Sequence, residues 1–294
     1  MTQTSAKQKA PRKPANYRKI LELENAKTTK GEALGVITGI SYLAPAKESG
    51  VMNTCTFSTP ECEGVCIYHQ GRGQMSNVVR ARIDKTLFLF HHREDFLNSL
   101  RYDIGRLERK AAKLVFCATC GKMTKRKTAG GRERRNCRTC RTPLVAVKIA
   151  VRINGTSDLA WIPMQMSAEF PHIQFYDYTK LPKPHLRTRA NYAITFSHTG
   201  YNVSDCLQAL AAGVNVAVAF AIKKGRPLPA TWNGYTVIDG DTHDLRFMDP
   251  AGVVVGLRGK GTSWKTPSAF MVAPCMAAAA AAPAPQLFQI AAAA

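Results

Sequence analysis

Long apolar runs are missing from this sequence of 294 residues. Nothing approaches the roughly 18 to 20 consecutive apolar side chains that a bilayer crossing needs, so no membrane partner is expected. The opening stretch, MTQTSAKQKAPRKPANYRK, lacks the apolar segment of a secretory signal, which argues against export by that route. Neither GxSxG nor HExxH occurs, so serine-hydrolase and zinc-protease chemistry has no support. The glycine-rich GRG at 71–73 and GLRGKG at 256–261 lack the Lys-Ser/Thr ending of a P-loop. An anion-binding turn, helped by Arg258 and Lys260, or a flexible exit loop both fit the second of these. Acidic residues are scarce, 20 Asp and Glu against 41 Lys and Arg, for a net charge of +21.

Apolar residues make up 45% of the chain, enough for a sizeable core in one large domain or two ordinary ones. The positive charge is unevenly placed. Residues 1–30 carry eight basic and two acidic side chains, and residues 106–141 carry thirteen and two. The remainder is close to neutral. Clustered charge on attachments is the electrostatic footprint of nucleic-acid contact, expected through residues 1–30 and 114–143. A solubilising role for the same charge is the plainer reading.

Residues 1–34, polar and basic with Pro11 and Pro14, read as a disordered tail. GVITGISYLAP, from Gly35, reads as a first strand and turn, followed by a cysteine-bearing loop. From Ser76 to about Lys113 apolar residues recur at three and four, first Val78, Val79, Ile83, Leu87 and Phe90, then Phe96, Leu97, Leu100, Ile104 and Leu107. That spacing predicts two helices. A basic insertion spans 114–143. Beyond it, short apolar runs begin at 145, 172, 191, 214, 235 and 253. Runs apolar throughout are strands buried on both faces of a parallel sheet, and the spacers suit crossovers such as Val203–Ala212. The expected fold is therefore α/β: a parallel βα (TIM-like) barrel, complete or partial, over 35–113 and 144–272, with a doubly wound open sheet as the alternative. The final segment, 273–294, is low-complexity and reads as a flexible tail.

Polar side chains follow each run. Asn154, Thr156, Ser157 and Asp158 follow the first, Asp177, Thr179 and Lys180 the second, Ser197 and His198 the third, and Asp239 and Asp241 a later one. Strand C-termini of a parallel barrel face one mouth, so these residues are expected to share a pocket. Some would instead cap the following helices. Asp158, Asp177 and Lys180 are the candidate catalytic groups, and Asn154, Ser157 and Ser197 the candidate cofactor contacts. Asp239, Asp241, His243, Asp244 and Asp249 form an acidic cluster that a divalent cation could use, though without the alternation of an EF-hand. His91 and His92 point in different directions on a helix and read as surface residues.

Nine cysteines are present. Cys117-x2-Cys120 and Cys137-x2-Cys140, separated by sixteen residues, have the spacing of a four-thiolate zinc ribbon. The sequence between them has no apolar core, so metal must supply its folding energy. Such metal sites fit a reducing, cytosolic compartment. Cys55-x6-Cys62-x3-Cys66 places three more thiols within twelve residues. Zinc with His69 as a fourth ligand, a 4Fe–4S cubane with one open iron for S-adenosylmethionine, or three free buried thiols would each account for it. Cys206 packs as a small hydrophobe among the apolar positions of a helix.

The succession NTC…C…CIY, RARIDKTLFLF, VRINGTSDL, FYDYTK and DLRFMDPAGVVVGLRGKG resembles an uncharacterised family of bacteriophage-encoded proteins over roughly residues 35–265. That family is in turn distantly similar to radical S-adenosylmethionine barrels, in which a three-cysteine loop precedes a set of βα units. The resemblance implies a barrel architecture with an iron–sulfur cluster and S-adenosylmethionine at its mouth, in the host cytoplasm if the chain is phage-encoded. Taken with the basic segments, it leads to the expectation of an enzyme acting on or near nucleic acid. A non-catalytic accessory protein that binds zinc at both cysteine groups is the other class the sequence allows. A hydrolase using the acidic cluster with a divalent metal is a third.

Overall fold

A computed structural model describes residues 11–24 and 26–274. Strands in chain order are β1 (Leu21–Glu22), β2 (Val36–Ser41), β3 (Leu114–Cys117), β4 (Lys122–Lys125), β5 (Val145–Ala146), β6 (Lys148–Arg152), β7 (Gln174–Thr179), β8 (Tyr192–Ser197), β9 (Val216–Phe220), β10 (Thr231–Trp232), β11 (Tyr235–Asp239), β12 (Val254–Arg258) and β13 (Met271–Val272). The helices are α1 (Ala26–Glu32), α2 (Pro60–Gly64), α3 (Ser76–His91), α4 (Arg93–Ala112), α5 (Trp161–Glu169) and α6 (Val203–Ala211).

Ten strands form one sheet in the order β1-β2-β6-β7-β8-β9-β12-β11-β10, with β13 also on β9. From β2 to β11 every pairing is parallel, and only the short edge strands β1 and β10 run antiparallel. The apolar runs thus become the parallel strands expected of them. The sheet is open, ending at β1 and β10, so the complete form of the expected barrel is not made. The last two strands also change places: β12 lies between β9 and β11. β10 and β11 form a hairpin at this edge, turned by Asn233 and Gly234 at φ of 47° and 81°. Asn-Gly suits a two-residue turn with both φ positive. This hairpin takes the sheet edge, and β12 returns to fill the gap.

Register decides which face the helices cover. Phe175 pairs with Tyr192, Phe196 with Val216 and Val216 with Val254, so these side chains share one face. The main core cluster sets Ile37, Val151, Phe175 and Ile194 against Leu89, Leu100, Ile104 and Ile162 of α3, α4 and α5. A second cluster sets Phe196, Val216 and Val254 against Cys206 and Leu210 of α6. All four longer helices therefore lie on one side, whereas a doubly wound sheet carries helices on both. The opposite face bears Val36, Ala150 and Tyr176 and is covered by Leu245 and Phe247 from the segment after β11.

The expected disordered tail is ordered over its described part. Asp103 of α4 accepts hydrogen bonds from Tyr17 Oη (2.7 Å), Ile20 N (2.7 Å) and Leu21 N (3.0 Å). Ile20 and Leu21 are buried, and Glu22 pairs with Lys85 at 3.0 Å. Apolar Ile20 and Leu21, inside a basic stretch, are what draw it onto α4. Residues 1–10 and 275–294, including the rest of both expected tails, lie outside the described residues. Among the described residues no helix is long and apolar enough to cross a membrane.

Candidate functional site

At the C-terminal ends of the parallel strands lies a cavity of about 440 Å³. Its wall contains Cys55, Cys62 and Cys66, together with Asn154, Ser157, Asp158, Lys180 and Ser197. The cysteines arrive on the loop after β2. Asn53 Oδ1 accepts from Cys55 N (2.9 Å), and Thr59, the N-cap of α2, accepts from Cys62 N (3.3 Å) with Pro60 opening the helix. Asp158 N donates to Thr54 O at 2.7 Å, and Cys55 Sγ lies 3.6 Å from Thr156 O. The loops after β2 and β6 are thereby tied together, which brings the first cysteine beside Asp158.

Asp158 accepts from Thr179 Oγ1 (2.8 Å) and Lys180 N (2.6 Å), which fixes its carboxylate across two strand ends. Burial pushes the pKa of Asp158 up, against those hydrogen bonds. Burial also raises Cys55 and Cys66. Lys180 is half-buried, and the desolvation lowers its pKa, but the charges that Cys62, Cys55, Asp158 and Cys66 carry when ionised outweigh this and raise it overall. The ammonium and the three thiols therefore belong to one electrostatic unit. Asn154 Oδ1 accepts from Ser157 Oγ (2.8 Å) and Leu159 N (3.0 Å), holding the loop that carries Asp158.

Asp177 sits elsewhere. It is in register with Ile194 and so points to the helix face, where it accepts from Asn154 N at 2.7 Å. Burial lifts its pKa to about 7, against the nearby Arg152 charge. Asp177 is placed to position Asn154 and does not line the cavity.

The acidic cluster is already neutralised by cations. Arg258 pairs with Asp239 (2.8 Å) and Asp241 (3.1 Å), Lys260 with Asp241, and Arg246 with Asp249 (3.3 Å). Asp244 pairs with buried Arg152 at 2.9 Å. These pairs also occupy the cations of the GLRGKG turn. His69 faces Glu48 at 3.7 Å, and no single-ion group of His69 with the three thiols forms among the described residues. The Arg152–Asp244 pair on the cavity wall, with Tyr178 under the guanidinium, has no local sequence signal because its partners are 92 positions apart.

The second cysteine group lies at the other end of the strands. β3, β4 and β5 form a small antiparallel sheet, β4-β3-β5, joined directly to the start of β6. Gly121, at φ of 67°, turns the chain after Cys120. The sulfurs of Cys117, Cys120, Cys137 and Cys140 all lie within 4.8 Å of one another, with Cys120 and Cys137 3.7 Å apart. Thiolates bound at about 2.3 Å to one tetrahedral ion stand about 3.8 Å apart, so four cysteines this close could hold a metal ion, zinc or another. The Thr142 hydroxyl and the Cys120 backbone hold the Cys117 thiol down at about 6, while Cys120 and burial push Cys140 up to about 12. Four thiols cannot all ionise together without a cation between them.

Fold and site define a mostly parallel α/β protein with its longer helices on one face, a cysteine-lined cavity at the strand C-termini and a metal-competent four-cysteine module at the opposite end. The chain belongs to the Gene product 88 family, which matches residues 15–280. No curated protein and no solved structure matches it.

Proposed function

We propose that the cavity is the catalytic centre of an iron–sulfur enzyme of the radical S-adenosylmethionine kind, acting on or near nucleic acid. In this reading the sheet is an incomplete barrel and the four-cysteine module is a zinc ribbon. The supporting observation is the shared cavity: three thiols from the loop after the first parallel strand, beside the polar ends of the next strands. In this reading the three thiols would hold a cubane and not a single ion. Among the described residues only the other four cysteines gather at single-ion distance. A cubane carries each thiolate on a different iron, so its ligands stand further apart. Lys180 would offset part of the cluster's negative charge, and Asp158 would accept hydrogen bonds from an amine or hydroxyl of the bound cofactor. Asn154 and Ser157 would keep Asp158 in place, and Ser197 would face the substrate side. When bound, the cluster would supply one electron to cleave S-adenosylmethionine. The cysteine spacing of six and three differs from the usual three and two, so the loop would wrap the cluster by a different path.

Anaerobic purification tests this. The expected protein is brown, absorbs near about 400 nm and holds about four irons per chain. Serine at Cys55, Cys62 and Cys66 together should remove the iron and leave the metal of the other module. Zinc alone in both groups would instead make the chain a non-catalytic accessory protein.

A further inference from the structure

The cysteine module and the cavity occupy opposite ends of the same strands. β6 begins at Lys148, directly after β5 of the module, and reaches the cavity wall at Arg152. At about 3.3 Å per residue, this short strand sets them roughly 15 Å apart. Residues 114–143 carry nine basic side chains and a single acid, Glu133, which already pairs with Arg126 at 3.5 Å. Lys122, Lys125, Lys127, Arg132, Arg135 and Arg138 are all exposed. None has a carboxylate at ion-pair distance among the described residues, in contrast to Arg101, Arg152 and Arg258, which do. Unpaired cations crowded on one small module repel one another, which a polyanion relieves, and releasing the polyanion's counterions then favours binding. From Cys117 to Arg141 there is no Phe, Tyr or Trp, so the face has no platform on which unstacked bases could sit.

We propose that this face docks the phosphate backbone of nucleic acid without reading sequence, and that it is an anchor at the far end from the cavity. The docked strand is held on the module and is not the group that enters the cavity. This second half rests on the cavity being the catalytic centre, whereas the docking itself does not.

The test is fluorescence anisotropy of a labelled duplex titrated with the full-length protein over a range of salt concentrations. Changing the six cations to glutamine should weaken binding and reduce the salt slope by up to about five, at roughly 0.9 per phosphate contact. Lys223→Gln/Lys224→Gln/Arg226→Gln, exposed cations that follow β9 at the cavity end, should leave the slope unchanged. Should the six-site variant not fold, Lys125→Gln/Arg135→Gln should still reduce the slope by about two. An unchanged slope in the module variants, or poly-glutamate bound as tightly as the duplex, overturns the docking. A loss of slope in the cavity-end variant, or photo-crosslinks from a thiolated oligonucleotide mapping to residues 55–69 in place of 122–138, overturns the anchor. Iron-free protein should bind the duplex equally well, so failure of the cluster reading registers separately, as absent iron with docking intact.

Discussion

Phe116, in the first strand of the cysteine module, packs so closely on Gly35 at the entry to β2 that a Cβ on the glycine would stand 2.6 Å from the ring. Gly35 also has a φ of +75°, which an L side chain adopts only at a cost. Phe116 belongs to the main core cluster, with Leu114 and Met123 packed against it. The module is therefore keyed into the domain, although its metal-competent end projects away.

Gly35→Ala should destabilise the domain by about 2–3 kcal/mol, from the left-handed backbone and the ring contact together. At about 2–4 °C per kcal/mol for a domain of this size, the melting temperature should fall by about 5–10 °C. Adding Phe116→Leu should recover only the contact part. Calorimetry of the single and double variants separates the two contributions.

Removing metal from the four-cysteine module, by chelation or Cys117→Ser, should lower the main melting transition as well as release the module. The reason is that buried Val115 and Phe116 leave the core with it. A main transition that stays unchanged would show the module to be autonomous. Metal affinity should also weaken as pH falls, because protons compete for thiols that must ionise together. A competition titration with a chromogenic chelator at several pH values measures this.

Asp103→Ala leaves the Ile20 and Leu21 amides and the Tyr17 hydroxyl without their acceptor. An orphaned buried donor costs about 1–3 kcal/mol, so the segment 11–22 should detach from α4 before the domain unfolds. Limited proteolysis should then cut at Arg18 or Lys19 in the variant and not in the parent.

Asp177 has a folded-state pKa raised to about 7 by burial. Between the ordinary carboxylate range and that value the native state binds the extra proton, so this group makes stability fall as pH rises through the window. Asp177→Asn keeps an acceptor for Asn154 N and removes the ionisation. The variant should be flatter in stability between about pH 4 and 7 and more stable than the parent at pH 8. Denaturant melts at several pH values decide it.

Local periodicity was enough to place α3, α4, the apolar parallel strands and the paired CxxC knuckles, because each depends on residues a few positions apart. Asn233-Gly234 was an equally local turn signal, and it marks the β10–β11 hairpin at the sheet edge. The direction of Asp177 also follows from strand alternation once Phe175 is known to face the helices. Other features depend on partners distant in the chain. Ile20 and Leu21 could be assigned to the core only by meeting Asp103 and α4, and Asp244 could be separated from a cation site only by meeting Arg152. Openness of the sheet, the single helical face and the placement of Cys55, Cys62 and Cys66 with Lys180 follow from strand order and register. Those are chosen by the packing of the whole chain, since hydrogen-bonded strands of similar apolar composition can be ordered in several ways at little local cost.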